Sequence, residues 1–348
     1  MWNIITNYPL HPSPYFSALE RAFAAQDIEC RFFAELDEAL SSSGIVNLHR
    51  LQRLYYVRGR PDTQRLEHSL DLIRQAKCKG MIIAWTVHNL LPLSSGARIT
   101  LDHHCTRSVL ALSDVVICHT QADARYIRQL APDVEVQVCG SAGLWMPEAV
   151  DEPHLTPLVQ AMASVEQAFL AFGHITAYKD LVRLSKAFFD ATSKARLFIA
   201  GEARDHALLS ALRDLEKASA GRLVLWPERV DPAQAHRLYR KCAVAVCGYV
   251  TSGRYAYFRD VLHPSSVTTA RGFNIPVITP DTASTRELAT GIPALLYDAP
   301  QESLDIEGAM HLAEQRFVAN AFQPRTVQDD WIGIARAYKS IGHVHDIR

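Results

Sequence analysis

Three histidines in this sequence directly follow short apolar runs. His49 comes after Gly44–Leu48, His88 ends the run Gly80–Val87, and His119 follows Asp114–Cys118. An imidazole is poised to change charge near neutral pH, so one at the mouth of a strand can take a proton from a hydroxyl. His88 is the first candidate for a general base, His49 the second and His119 the third. For any one of fifteen histidines the plain alternative is a satisfied structural side chain. A second pattern, Phe172-Gly173-His174-Ile175-Thr176-Ala177-Tyr178-Lys179-Asp180, sits between an apolar run and a helical one. A glycine there lets a ligand approach the backbone, and a lysine can neutralise a phosphate; a glycine turn with a solvated lysine is the plain alternative. Further on, Ser265 and Ser266 precede Val267-Thr268-Thr269. Serine is a favoured N-cap, so the pair is predicted to open a helix whose N-terminus attracts an anion. The β-branched run makes that helix poor by propensity, as a functional junction or buried packing would permit.

These residues need elements to hold them. Apolar runs at Trp2–Thr6, Gly44–Leu48, Gly80–Val87, Asp114–Cys118 and Val134–Cys139 read as strands, with helical spacing at Tyr15–Gln26 and Gln121–Leu130. The alternation restarts with strands at Ala168–Phe172, Ala195–Ala200, Arg222–Trp226, Ala243–Cys247 and Pro276–Thr279. Helices are expected at Leu181–Thr192, Ala207–Ala218, Pro232–Lys241, Ser266–Phe273 and Trp331–Ile341. Near-continuous apolar strands alternating with helices predict parallel sheets covered on both faces. The fold class is therefore α/β, two Rossmann-like doubly wound domains with an interdomain cleft as the ligand site. Residues 1–150 are expected to form the first domain, 151–165 a linker that overlaps the proline- and acid-bearing stretch from Trp145 to Gln160, 166–325 the second domain, and 326–348 a terminal helix that packs back on the first domain.

With 36 basic against 37 acidic residues, the formal net charge is −1, which argues against a dedicated nucleic-acid binder. No apolar run reaches the ~18 residues of a membrane span, and the N-terminus lacks a signal-peptide pattern. Seven scattered cysteines without a Cys-x-x-Cys pair favour free thiols in a reducing cytoplasm. Asp102-His103-His104-Cys105 spells the palmitoyltransferase signature, but the membrane spans and the cysteine-rich zinc region it requires are missing. As a metal site it fails too, because adjacent helical residues diverge around the axis. Asp305-Ile306-Glu307, an acidic pair of the kind that binds metal in GT-A enzymes, reads as a surface loop.

The Gly173–Asp180 segment resembles the nucleotide-sugar domain of GT-B glycosyltransferases, where a strand leads into Gly-Arg and then Lys-Gly. Ile199-Ala200-Gly201 is similar to the strand end that follows there. Glu228-Arg229-Val230, the loop from His263 to Ala270, and Ile275-Pro276-Val277-Ile278 keep the family's order. In the first domain, Thr86-Val87-His88-Asn89-Leu90-Leu91-Pro92 resembles the Thr-x-His-Asn motif of bacterial exopolysaccharide glycosyltransferases, the xanthan β-mannosyltransferase among them. Pro14-Tyr15, Leu48-His49, and Ser113-Asp114-Val115-Val116 with His119-Thr120 are similar to the same relatives, and the helix carrying Trp331 and Tyr338 resembles the one that crosses back onto the first domain. Departures are His174 for arginine, Asp180 for glycine, and Val261 and Thr269 at the two positions of the retaining family's Glu-x7-Glu motif.

The resemblance implies a hexosyltransferase that moves a sugar from a GDP- or UDP-sugar to a hydroxyl of a lipid-linked oligosaccharide or polysaccharide precursor, with no metal or other cofactor. Gly173, His174, Lys179, Ser265 and Ser266 would hold the diphosphate, Arg229 and Val230 would meet the base, and Tyr15, His88 and Asn89 would lie at the sugar and acceptor. Arg50, Arg53, Arg58 and Arg60, interleaved with aromatic and aliphatic residues, suit an anionic membrane surface or lipid-diphosphate acceptor on this side of the fold; an exposed helix with snorkelling arginines is the bland alternative. Localisation would be cytoplasmic, peripheral on the inner face of the membrane. A non-hydrolysing nucleotide-sugar epimerase would need acidic cleft residues that the sequence does not offer. A periplasmic-type binding protein fits the N-terminus and cysteines poorly, and the lost glutamates and His174 leave a non-catalytic glycosyltransferase-like subunit as the remaining alternative.

Overall fold

A computed structural model describes residues 1–6, 8, 13–57, 60–93, 99–143, 153–298, 305–319 and 327–346. The chain divides into two compact units: Met1–Ser141 with Ala256–His263 and Gln328–Arg348, and Ala142–Tyr255 with Pro264–Val327. In the first unit, β1 (Trp2–Ile5), β2 (Cys30–Phe33), β3 (Ile45–Leu48), β6 (Ile82–Thr86), β7 (Val115–Cys118) and β8 (Glu135–Val138) form a parallel sheet in the order β2-β1-β3-β6-β7-β8, and a small hairpin pairs β4 (Tyr56–Val57) with β5 (Arg60–Pro61). In the second, β9 (Ala168–Phe172), β10 (Arg196–Ala200), β11 (Leu223–Trp226), β12 (Val244–Val246), β13 (Val277–Pro280) and β14 (Ala294–Tyr297) run parallel in the order β11-β10-β9-β12-β13-β14. Strand order reverses between β1 and β3 in one sheet and between β9 and β12 in the other, where such sheets open a crevice at their carboxyl ends.

Burial explains the strands. Most of those read from the sequence are apolar: β1, β3, β7 and β13 are buried along their whole length, as strands covered on both faces must be, whereas the edge strand β8 was read although only partly buried. The second core packs Phe169, Leu184, Phe188, Leu197, Ile278 and Met310 together. The edge strands β2 and β14 escaped the sequence reading because they are only partly buried and mix charged or proline-flanked residues with apolar ones. The segment expected as a linker contains a 3-10 turn at Pro153–Leu155 and a helix at Thr156–Ala163. The acidic pair expected as a surface loop instead starts a helix: Asp305 caps Ile306–Arg316 by accepting from the Gly308 N–H at 2.7 Å. The terminal helix Gln328–Asp346 buries Trp331 and Tyr338, with the Tyr338 ring 4.8 Å from Trp2 and 5.1 Å from Phe23.

The carboxyl ends of β9 and β10 leave no room between their backbones. Gly201 has φ +144°, and a Cβ there would stand 2.4 Å from the Gly173 carbonyl oxygen. Gly221, at φ +82°, faces open space. Gly201→Ala is therefore expected to cost more than about 3 kcal/mol and Gly221→Ala about 1 kcal/mol, read as shifts of the urea unfolding transition. Equal costs would mean that backbone conformation alone, and not the close approach, requires glycine at 201.

Candidate active site

The first unit gathers its histidines through sheet geometry. His49 follows β3 by one residue, His88 follows β6 by two, and His119 follows β7 by one. These strands are neighbours and parallel, so the three rings meet at one edge: His88 lies 5.3 Å from His49 and 5.1 Å from His119 between centroids. Tyr15, near the start of the first helix, stands edge-on to His88 at 4.9 Å and to His49 and His119 at 5.9 Å. A fourth ring is His263, stacked on His119 at 3.9 Å. The sequence reading passed over it because it follows no strand. Its position comes from backbone pairing: Leu262 bridges Asn89, and the His263 N–H donates to the His88 carbonyl at 3.1 Å.

Behind His88 runs a buried relay. His88 Nε2 faces His49 Nδ1 at 3.0 Å, His49 Nε2 faces Asn47 Nδ2 at 3.0 Å, Thr86 Oγ1 meets Asn47 Oδ1 at 3.1 Å, and the Tyr338 hydroxyl reaches Thr86 Oγ1 at 2.7 Å. With Asn47 oriented this way its amide donates to His49, His49 Nδ1–H donates to His88, and His88 keeps its proton on Nδ1. His88 then presents a donor. Turning the Asn47 amide over reverses every bond in the chain and leaves Nδ1 of His88 with a lone pair, the form a general base requires. His119 is fixed separately, its Nδ1–H donating to the Gly140 carbonyl at 2.9 Å; its Nε2 is buried without a hydrogen-bond partner. Burial holds His49 and His88 well below the usual imidazole range, helped by the charges of His119 and Arg50, and burial lowers His119 to about 4. All three rings are neutral at pH 7.

In the second unit the switch-point loops carry the expected donor residues. Lys179 is half-buried, its Nζ donating to the Phe172 carbonyl at 2.8 Å and lying where a Cβ on Gly173 would be 2.9 Å away. Burial lowers its pKa to about 8, with the Cys247 thiol acting in the opposite sense. Position 180 has φ +56°, which explains the glycine found there in the resembling family and why aspartate is tolerated. His174 is exposed and pairs with Glu202 at 3.3 Å, and Arg204 holds the same carboxylate at 2.9 Å. Burial and the charges of Arg204, Lys179 and Arg229 keep His174 below its ordinary value, so it is no substitute for a permanent cation. Arg204 is one residue that the sequence reading missed. Arg229 is exposed and Val230 buried.

The helix expected to open at Ser265 and Ser266 spans Ser265–Gly272, but its N-cap is Pro264, which makes no side-chain cap. The serines occupy its first turn instead, where backbone N–H groups point outward. Ser266 Oγ meets the Tyr249 hydroxyl at 3.0 Å, and Tyr249 stacks on Tyr178 at 6.1 Å. Ser266 and Lys179 both lie near Cys247, where they oppose the burial that pushes its thiol up to about 11.

The predicted arginine patch is no helix. Leu51–Leu54 is a 3-10 turn, followed by the β4–β5 hairpin, and the next helix starts at Thr63. Arg53 donates to the Ala34 carbonyl, Arg60 is exposed on β5, Arg50 is exposed with its charge acting on His49 and His88, and Arg58 lies outside the described residues.

Comparison with solved structures decides the fold. Anabaena HepE, in complex with UDP and glucose, matches with a TM-score of 0.58 at 11% identity over 99% of this chain and 95% of its own. AviGT4, a glycosyltransferase involved in avilamycin A biosynthesis, matches at 0.56 and 11% identity over 98% and 96%. The fold is GT-B. The N-terminal domain of Candida albicans trehalose-6-phosphate phosphatase shares it at 0.56 and 11% identity, over 99% of this chain and 96% of that one. No family model and no curated protein matches the sequence.

The relay has a checkable signature. His49 and His88 are expected to share one tautomer, both Nδ1–H or both Nε2–H, while His119 is Nδ1–H, as read by long-range ¹⁵N–¹H correlation of the rings. Opposite tautomers at His49 and His88 would contradict the hydrogen-bond chain.

Proposed function

We propose that the chain is a glycosyltransferase that moves a hexosyl group from a GDP- or UDP-sugar to a hydroxyl of a lipid-linked oligosaccharide or polysaccharide precursor, as in the exopolysaccharide enzymes it resembles. The observation that carries this reading is the second unit's switch point, where a half-buried lysine, a glycine-lined backbone and the first turn of the Ser265–Gly272 helix occur together. Breaking a sugar–phosphate bond leaves a diphosphate with added negative charge. A cation and outward N–H groups stabilise that charge without a divalent ion at the diphosphate. Lys179, with Ser265 and Ser266, takes this role, and Gly173 lets the phosphates approach. Arg204 and Arg229 add positive potential near His174. The Arg229–Val230 backbone meets the base.

In the first unit His88 accepts the acceptor hydroxyl's proton on Nδ1 when the Asn47 relay is reversed, as that oxygen bonds to the anomeric carbon and the nucleoside diphosphate departs. Tyr15 and Asn89 line the sugar and acceptor. The exposed Val57 and Arg60 on the hairpin suit adhesion to an anionic cytoplasmic membrane face. No helix among the described residues is long and apolar enough to cross a membrane.

A panel of UDP- and GDP-sugars, read as thermal shift and donor hydrolysis, tests the reading; no shift with any donor refutes it. Nucleotide affinity is expected to fall about ten-fold per pH unit above pH 8, as Lys179 loses its proton. Lys179→Met should weaken binding at pH 7 and abolish that slope in calorimetric titrations. His88→Ala should lower kcat by about 10²-fold or more with donor affinity changed less than about three-fold; an unchanged kcat rules His88 out as the base.

A further inference from the structure

We propose that His88, His119 and His263 form a binding site for a single divalent transition-metal ion of the zinc class. Among the described residues these three side chains place ligand atoms within 4.8 Å of one another. His119 supplies the most telling feature. Its Nδ1–H is tied to the Gly140 carbonyl, and its Nε2 is buried, carries a lone pair and has no partner. A backbone carbonyl on one nitrogen with the other left as an open lone pair is how proteins orient a metal-ligating imidazole. His88 is held likewise: Nε2 faces His49, leaving Nδ1 as the coordinating atom once the Asn47 amide is reversed. His263 is half-buried on a segment fixed by its own backbone bond to His88.

The chemistry of the donor set selects the metal. Three neutral imidazoles suit zinc, cobalt, nickel or copper and offer nothing to magnesium or calcium, which want oxygen. Arg50, whose charge bears on His49 and His88, opposes any cation, so only metals with strong nitrogen affinity bind. Three histidines leave a fourth position for water or a substrate oxygen. The ring stack does not itself present a coordination geometry. His119 and His263 stack with planes 21° apart, and two nearly parallel rings cannot both aim in-plane lone pairs at one ion. Tetrahedral coordination needs nitrogens about 3.4 Å apart, so the His263 ring must turn out of the stack when the ion enters. On the sugar-transfer reading the bound ion would occupy the nitrogen that His88 uses as base; the site itself does not depend on that reading.

The test uses the untagged full chain, stripped with chelator and titrated with Co²⁺ alone. Expected are one ion per chain, the visible absorption of low-coordinate nitrogen-bound cobalt and, with diamagnetic Zn²⁺ in place of Co²⁺, loss of the His119–His263 stacking shift in the ring proton spectrum. His119→Ala and, separately, His263→Ala should weaken binding by about 100-fold or more, whereas His104→Ala, an exposed residue paired with Glu67, should leave it unchanged. His263→Ala removes a half-buried loop side chain, so it keeps the test decisive should the buried His119 variant fail to fold. Absence of the absorption band, or binding that neither substitution weakens, overturns the proposal. Neither result bears on nucleotide binding.

Discussion

Every strand of a parallel sheet delivers its carboxyl end to the same edge, and that constraint places nearly all the chemistry of this protein. In the first unit β3, β6 and β7 are hydrogen-bonded neighbours, so the residues just beyond them, His49, His88 and His119, have to meet. In the second, β9 and β12 flank the reversal of strand order, and the loops that follow bring Gly173 and Lys179 beside Cys247. The cores exist to hold these edges in register. That is why the inner strands β1, β3, β7 and β13 are buried throughout, while the loops carry buried and half-buried histidines and a lysine whose charge burial has made easier to lose.

Neutrality is what the histidine edge achieves. A charged imidazole could neither accept a proton nor bind a metal, and burial beside other imidazoles and Arg50 keeps these rings uncharged. The Asn47 relay then decides which face of His88 is basic. Because an amide offers a donor on one side and an acceptor on the other, a half-turn of one buried side chain converts His88 from hydrogen-bond donor to base.

Much of this was legible in the sequence, for a physical reason. A residue that directly follows a continuous apolar run is at a strand mouth whatever the fold, so His49, His88, His119, Gly173 and the Ile199-Ala200-Gly201 turn could be placed without coordinates. His263 could not, since it joins the cluster through a bridge between Leu262 and Asn89, a pairing that leaves no periodic signal. Arg204 was hidden for the same reason: its relevance comes from a shared Glu202, two residues away in sequence but meaningful only beside His174. The edge strands β2 and β14 lacked the two-sided burial that makes a strand readable. The arginine-rich stretch looked like one surface, yet the turn and hairpin there send Arg53 to a backbone carbonyl.

If the proposed sugar transfer is right, the second unit's switch point holds a nucleoside diphosphate. A crystal structure of the chain soaked with UDP or GDP tests it most directly. The diphosphate should lie against Gly173, within hydrogen-bond reach of Lys179 Nζ and the first-turn N–H groups of the Ser265–Gly272 helix. A nucleotide bound away from the β9–β12 edge, or none bound at saturating concentration, would contradict the account.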